Sequence, residues 1–217
     1  MSEAVPGIKS AFDKEDEGDV VVTDQRSPRP KDAATLILVR RDAATPRVLL
    51  GKRSGGHTFM PDKYVFPGGR VDPHDARAPT LTPLSEPVAT KLAIGTRRAP
   101  HAFALTAIRE TFEESGILLA HDGDAPELLS GERARELQAR YRDKMNRCET
   151  GIWDMAAAEN LKLACGNLTP FAHWITPEGL PRRYDTHFYL IAAPEEQAAS
   201  HDTVESVAST WTTPAQA

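Results

Sequence analysis

The sequence predicts a mixed α/β fold, because short apolar runs of strand length alternate with stretches of helical period. Its 217 residues, 40% of them hydrophobic, suffice for one sizeable core, so one compact domain is expected. The net charge is −5 and lysine and arginine are scattered, which excludes the basic stripe that follows a nucleic-acid backbone. We therefore expect no polymeric nucleic acid as a partner.

The N-terminal stretch and the first strands differ in composition. Residues 1–31 are charged and proline-bearing, with one short apolar run at 20–22, and we expect a flexible arm there before a domain over 32–217. The apolar runs TLILVR and RVLLGKR follow from Thr35, with a polar turn between them, and they predict a β-hairpin. The glycine- and proline-rich stretch after them suits backbone that approaches a ligand closely.

The strongest helical pattern runs from Pro100 to Ser115. Proline suits the first turn, an apolar stripe follows the helical period, and Gly116 is placed to end the helix. Before this helix, residues 76–98 mix prolines with a modest helical stretch and are predicted to be an insertion in the domain.

The rest of the chain predicts three strands and two helices. The strands are ILLA, FAHWIT and THFYLIAA, and the helices are GERARELQARYRDKMNRC and WDMAAAENLKLAC. Near the C-terminus, threonine, proline and alanine would normally open a helix, so we expect a C-terminal helix that is truncated here.

Hydropathy and cysteine usage bear on the compartment. No stretch approaches the roughly 18 apolar residues of a membrane-spanning helix, and no basic segment with an apolar run begins the chain. A cytoplasmic protein without a membrane partner is expected. Cys148 and Cys165 form no CxxC pair and cannot complete a four-ligand zinc site, which predicts reduced, structural thiols.

Three glutamates crowd the end of the predicted helix. Glu110, Glu113 and Glu114 stand at i, i+3 and i+4, which places their carboxylates within an arc of about 100°. Like charges at these spacings destabilise a helix by roughly 0.2–0.5 kcal/mol per pair, and Arg109 can reach only Glu113 at i+4. The pattern fits either a solvated acidic face or a site for a hard cation such as Mg²⁺.

The neighbouring residues favour the cation site through a family resemblance. The segment RETFEESGI, 109 to 117, is similar to the second half of the Nudix box, G-x5-E-x7-R-E-U-x-E-E-x-G-U, in which U is a bulky aliphatic residue. Upstream, YVFPGGRVD at 64 to 72 resembles the strand and glycine loop that open the box, with Gly69 at its first position. The resemblance implies a Nudix fold, a mixed β-sheet sandwiched between helices.

The box of this chain departs from the pattern in three ways. Six residues after Gly69 stands Asp75 instead of glutamate, and Thr111 takes the first bulky position. Between Asp75 and Arg109 lie 33 residues where the pattern has 7, an excess of 26. An uninterrupted register would use His101 as the first acid and would leave FPGG outside the box, so the interrupted register is favoured.

The resemblance implies a metal-dependent hydrolase with Mg²⁺ or Mn²⁺ as the cofactor. It assigns Glu110 and Glu114 as first ligands with Glu113 close behind, and the Gly69 carbonyl as a further ligand. Arg109 would orient a box glutamate. The implied substrate is a small nucleoside diphosphate linked to another moiety.

The remaining site candidates have weaker signals. Substrate phosphate could meet Arg53, Arg182 or Arg183, and the general base could be Glu149, Glu178 or Asp185. Four histidines lack the H-x3-H spacing of metal ligands, so none is assigned to a metal: His57, His74, His101 and His173.

The substrate and the reaction class stay open between alternatives. The insertion together with WITPEGLPRRYDTHFYL resembles the long-insert branch that includes peroxisomal coenzyme A diphosphatases. That branch implies CoA or acyl-CoA, with ADP-ribose and dinucleotides as alternatives and a homodimer as an expected assembly. A non-catalytic nucleotide sensor on the same scaffold would explain Asp75 and the split box. An isopentenyl diphosphate isomerase is disfavoured because no cysteine lies near the box.

Overall fold

The structure is a computed structural model that describes residues 27–56, 62–201 and 206–217. The arm up to residue 26, its apolar run at 20–22 and His57 lie outside the described residues. The strands are β1 (Lys31–Arg40), β2 (Arg47–Arg53), β3 (Tyr64–Val65), β4 (Gly68–Arg70), β5 (Ala120–Asp122), β6 (Leu161–Leu163), β7 (Thr169–Ile175), β8 (Tyr184–Ala192) and β9 (Ser206–Thr212). The α-helices are α1 (Glu86–Leu92), α2 (Pro100–Ser115), α3 (Gly131–Leu137), α4 (Asp143–Asn146) and α5 (Ile152–Ala158).

A mixed sheet forms the frame of the described chain. Its strands follow the order β3-β2-β1-β8-β7, with β4 also paired to β1 and β9 to β2. The central pair β1 and β8 is parallel, whereas the other pairs are antiparallel. Strands β5 and β6 form a separate two-stranded sheet. The predicted mixed α/β fold is therefore confirmed.

Helix α2 packs across β1 on one face of the sheet. Alternate residues of β1, Ala34, Leu36 and Leu38, are fully buried, as the period of two in a strand requires. From α2, Phe103 and Phe112 enter the same core. Burial of such large aromatic side chains stabilises the packing of the helix on the sheet.

The ends of α2 agree with the sequence. Proline occupies its first turn, and Gly116 ends the helix with a φ of 73°, a left-handed conformation that glycine adopts without strain.

The predicted insertion packs into the main core. It contains α1, and Leu84 and Leu92 are buried in the same hydrophobic cluster as α2. A bridge between Thr80 and Leu163 ties the insertion to β6. The extra residues are thus held against the fold before α1 and at its end.

Some predicted elements were shifted or wrong. The end of WDMAAAENLKLAC is not helical, because Asn160 with φ 54° ends the helical segment and LKL becomes β6. The strand predicted at ILLA begins only at Ala120, and the residues before it are buried without strand pairing. Strand β9 was not predicted, and a turn from Thr213 follows it where a helix start was expected.

The helix predicted at GERARELQARYRDKMNRC is interrupted. It consists of α3, a π-helical turn at Gln138–Arg142 and α4. Such π turns occur often at functional sites, and this one presents Arg142 to the end of α2. No helix among the described residues is long and apolar enough to cross a membrane.

We expect Phe112→Ala to lower the free energy of unfolding by about 3–5 kcal/mol, because the substitution leaves a cavity beneath α2. Phe171→Ala is the matched control, since Phe171 on the edge strand β7 is 63% exposed. The control should change stability by no more than about 0.5 kcal/mol. Urea unfolding followed by circular dichroism measures both, and equal losses would contradict the proposed packing.

Candidate active site

Arg109 lies at the centre of the acidic cluster. Its guanidinium donates to both oxygens of Asp75, at 2.7 Å from Nε and 3.1 Å from Nη2. Nη1 lies 3.0 Å from Glu113 and 2.9 Å from Glu110, and Nη2 donates to the carbonyl of Arg70 at 3.0 Å. One rigid side chain thus links two helix glutamates to the loop that follows β4.

Asp75 is fully buried and is held by further hydrogen bonds. Oδ2 accepts from the hydroxyl of Thr106 at 2.6 Å and from the backbone N–H of Asp72 at 2.9 Å. The alternative residue, His101, is exposed and contacts the carbonyl of Ala76 at 3.2 Å. The structure therefore brings Asp75, the acid of the interrupted register, onto Arg109 across the insertion.

The glycine loop lies directly against Glu110. A Cβ added to Gly69 would lie 2.3 Å from Oε1 of Glu110, and one added to Gly68 would lie 2.5 Å from the carbonyl oxygen of Ala34. At Gly68 the Cβ would meet backbone, and at Gly69 it would push the carboxylate of Glu110 aside. The two glycines therefore let β4 run close between β1 and the glutamates of α2.

The cluster carries more negative than positive charge. Burial raises the pKa of Glu113 to about 7 against the opposing charge of Arg109, and Glu110 and Asp75 add to the rise. Burial alone would lower the pKa of Arg109, but the same three carboxylates raise it well above its usual value. Arg109 therefore stays charged, and the excess of negative charge favours a proton or a cation at Glu113.

The donor set suits a hard divalent cation. Glu110, Glu113 and Glu114 offer carboxylate oxygens from one face of α2, and Mg²⁺ takes oxygen ligands. Within the described ranges, no three of these carboxylates place oxygens all within 4.8 Å of one another. Mg²⁺ retains several waters, so it could reach part of the set through them.

Arg142 fixes the end of the helix that carries these glutamates. Its guanidinium donates to the carbonyls of Glu113 at 2.8 Å, Glu114 at 2.7 Å and Ser200 at 2.7 Å. Helix ends leave carbonyls that need such donors. Sequence reasoning missed this residue, and its only signal was an arginine in the helix that follows α2.

A match to a known family model shows which family the chain belongs to. Residues 91–217 match the family model described as NUDT19 Nudix domain. The chain belongs to the Nudix family. Its resemblance to the branch that includes coenzyme A diphosphatases is thereby confirmed.

Similar proteins agree with this assignment. The chain is 33% identical over 211 residues to the acyl-coenzyme A diphosphatase NUDT19 of Gallus gallus, which covers 78% of this chain and 54% of that protein. The Homo sapiens protein of the same name is 27% identical, with 87% and 63% covered. The chain thus spans little more than half the length of these relatives.

One solved structure supports the Nudix fold directly. A Nudix hydrolase from Alicyclobacillus acidocaldarius superposes with a TM-score of 0.61 at 28% identity, covering 87% of this chain and 80% of the other.

Two cavities flank β4 of the Nudix fold. The first, of about 310 Å³, lies beside Gly68 and Gly69, and Arg53 stands in its wall; its aromatic lining is Tyr64, Phe66, Tyr184 and Phe188. The second, of about 350 Å³, is basic, with only Asp32 acidic in its wall; its cationic lining is Arg29, Lys31, Arg70, Arg97 and Arg98. The insertion supplies the last two arginines.

The other phosphate-binding candidates lie in the connection between β7 and β8. Arg183 donates to the carbonyls of Thr176 at 2.9 Å and Pro28 at 3.2 Å, so it holds the connection to the start of the described chain. Arg182 is half-buried beside it. The geometry of Arg183 is that of a structural residue.

The three base candidates occupy separate places. Glu149 pairs with Arg147 at 2.7 Å, and this hydrogen bond lowers the pKa of Glu149. Glu178 is exposed in the β7–β8 connection. Asp185 pairs with His173 across the same hairpin. The structure does not gather these carboxylates into one cluster.

His187 joins Asp185 and His173 in a group that sequence reasoning missed. One ligand atom from each of the three lies within 4.8 Å of the others. Burial lowers the pKa of His187 to about 4, and His173 adds to this effect. The H-x3-H spacing describes ligands on one element, so it could not reveal ligands that lie on two strands. The spacing of two between Asp185 and His187 could have indicated that they share one face of a strand.

We expect Gly69→Ala to weaken Mn²⁺ binding by about tenfold or more, because the added Cβ displaces the carboxylate of Glu110. Gly56→Ala is the matched control, since a Cβ there would meet nothing within 4 Å. Isothermal titration of the purified chain with Mn²⁺ measures both variants. Unchanged binding in Gly69→Ala would show that the glycine loop does not set the position of Glu110.

Proposed function

We propose that this chain hydrolyses the diphosphate linkage of CoA or acyl-CoA with the help of Mg²⁺ or Mn²⁺. The observation that carries the proposal is the cluster in which Arg109 joins Asp75 to Glu110 and Glu113 beside Gly69. The substrate class is supported by the acyl-coenzyme A diphosphatases among the similar proteins.

Glu110 and Glu114, with Glu113, would hold the cation, and the Gly69 carbonyl is the fourth candidate ligand. The bound cation would neutralise charge on the diphosphate and lower the pKa of a water molecule. Arg109 would position the glutamates. Asp75 holds the guanidinium of Arg109 in place, and the guanidinium in turn pairs with the carboxylates of Glu110 and Glu113. Arg142 fixes the backbone of Glu113 and Glu114 from the other side.

The two cavities suit the two ends of such a substrate. The aromatic cavity beside Gly69 offers ring faces and Arg53 to the acyl end of the substrate. The basic cavity offers guanidinium groups that match a phosphomonoester, such as the one on the ribose of CoA. A diphosphate lying over β4 would connect the two.

The first experiment tests the chemistry. Glu114→Gln should lower kcat by about 100-fold or more at saturating Mg²⁺, because the amide keeps the shape but loses the charged ligand. The substrates are CoA, acyl-CoA, ADP-ribose and dinucleoside polyphosphates, with products identified by mass.

Glu136→Gln is the matched control, since Glu136 is a half-exposed helix glutamate paired with Arg133. It should keep full activity. Full turnover by Glu114→Gln would disprove the mechanism. Tight binding by the unsubstituted chain without product would instead favour the nucleotide sensor.

A further set of variants tests the three candidates for the general base: Glu149→Gln, Glu178→Gln and Asp185→Asn. Loss of the general base should alter the pH profile of kcat.

The second experiment tests the substrate. Arg97→Gln removes one cation from the basic cavity, so the KM for CoA should rise by about tenfold while the KM for ADP-ribose changes little. Arg135→Gln, an exposed arginine on α3, is the matched control. Equal changes for both substrates would show that the cavity does not recognise the additional phosphate.

A further inference from the structure

Two imidazoles and one carboxylate meet on the β7–β8 hairpin, on elements that carry none of the box glutamates. His173 lies in β7, and Asp185 and His187 lie in β8. One nitrogen or oxygen ligand atom from each side chain lies within 4.8 Å of the other two. Among the described residues, no other three histidine, cysteine or acidic side chains bring their ligand atoms this close together.

The backbone of the hairpin holds the three side chains on one face. His173 and His187 are direct partners in the antiparallel register, so their side chains point to the same side of the sheet. Asp185 precedes His187 by two residues and therefore shares that side. The grouping follows from the strand pairing and needs no unusual backbone.

The contacts hold the three side chains against one another. Nε2 of His173 meets Oδ1 of Asp185 directly. The rings of His173 and His187 stack with their centroids 4.2 Å apart and 7° between their planes. Phe103 of α2 packs edge-on against the His187 ring at 4.4 Å, which limits its rotation.

The group is accessible and chemically distinct from the box. The side chains of His173 and Asp185 are 47% and 29% exposed, so an ion and its waters can enter. Imidazole nitrogens suit Zn²⁺ and its neighbours in the first transition row, whereas Mg²⁺ prefers oxygen alone. Bonds of about 2.1 Å in a tetrahedral zinc site hold ligand atoms about 3.4 Å apart. Rotation of exposed side chains can close the remaining distance.

We propose that His173, Asp185 and His187 bind one late first-row divalent cation, with Zn²⁺ as the test ion, independently of the box glutamates. The cation would lie between the imidazoles and the carboxylate of Asp185, and water would complete its coordination. Asp32 faces Asp185 in the parallel register, but its carboxylate pairs with Arg98 at 3.0 Å and is not needed as a ligand. Binding joins the edge strand β7 to β8 and increases the stability of the hairpin.

The experiment titrates the full chain, after removal of metals with EDTA, with Zn²⁺ in an excess of Mg²⁺. Isothermal titration should give one Zn²⁺ site per chain, and Co²⁺ should give the visible absorption of a nitrogen-ligated ion. His173→Gln and Asp185→Asn should each weaken Zn²⁺ binding by about 10- to 100-fold. Circular dichroism checks that each variant keeps its fold, and His173→Gln is the decisive variant because the side chain of His173 is 47% exposed.

Two controls separate this site from others. His74→Asn removes the histidine of another exposed pair, in which His74 lies 2.9 Å from Asp72 and the two side chains are 45% and 44% exposed. Among the described residues, this pair has no third ligand close by. It should leave Zn²⁺ affinity unchanged, as should Glu114→Gln in the box. Unchanged affinity in His173→Gln, or an equal loss in either control, would overturn the proposal.

Discussion

The buried pair of Arg109 and Asp75 is the interaction on which the acidic site depends. It joins the loop after β4 to α2, although the two residues are 34 positions apart in the chain. Burying two charges is costly unless their hydrogen bonds are all formed. Here Asp75 also accepts hydrogen bonds from Thr106 and from the backbone of Asp72. Arg109 also contacts the carbonyl of Arg70 and two glutamates. The pair therefore fixes one arrangement of the loop and helix.

The insertion is compatible with this arrangement for a physical reason. The entropy of closing a loop grows only slowly with its length, so 26 extra residues add a modest cost. Leu84 and Leu92 offset that cost by entering the core. The insertion also lines a basic cavity with Arg97 and Arg98. It thus contributes to the surroundings of the site as well as to the packing.

The glutamates that form the site destabilise the helix that carries them. Carboxylates crowded at the end of α2 repel one another. Burial, together with the charges of Glu110 and Asp75, raises the pKa of Glu113. Arg142 and Gly116 hold the end of the helix in spite of this repulsion. Such conflicts between local preference and fold are typical of functional sites.

Local patterns in the sequence predicted the hairpin of β1 and β2, the helix from Pro100 to Ser115, and the shared face of its three glutamates. These follow from periods of two and 3.6 residues and from the conformational freedom of glycine. Four features arise only from packing between elements: Asp75 meets Arg109, Arg142 caps α2, LKL becomes a strand and His187 stacks on His173. Each of these depends on a contact with another element, and a local pattern does not record which distant residue will supply the partner.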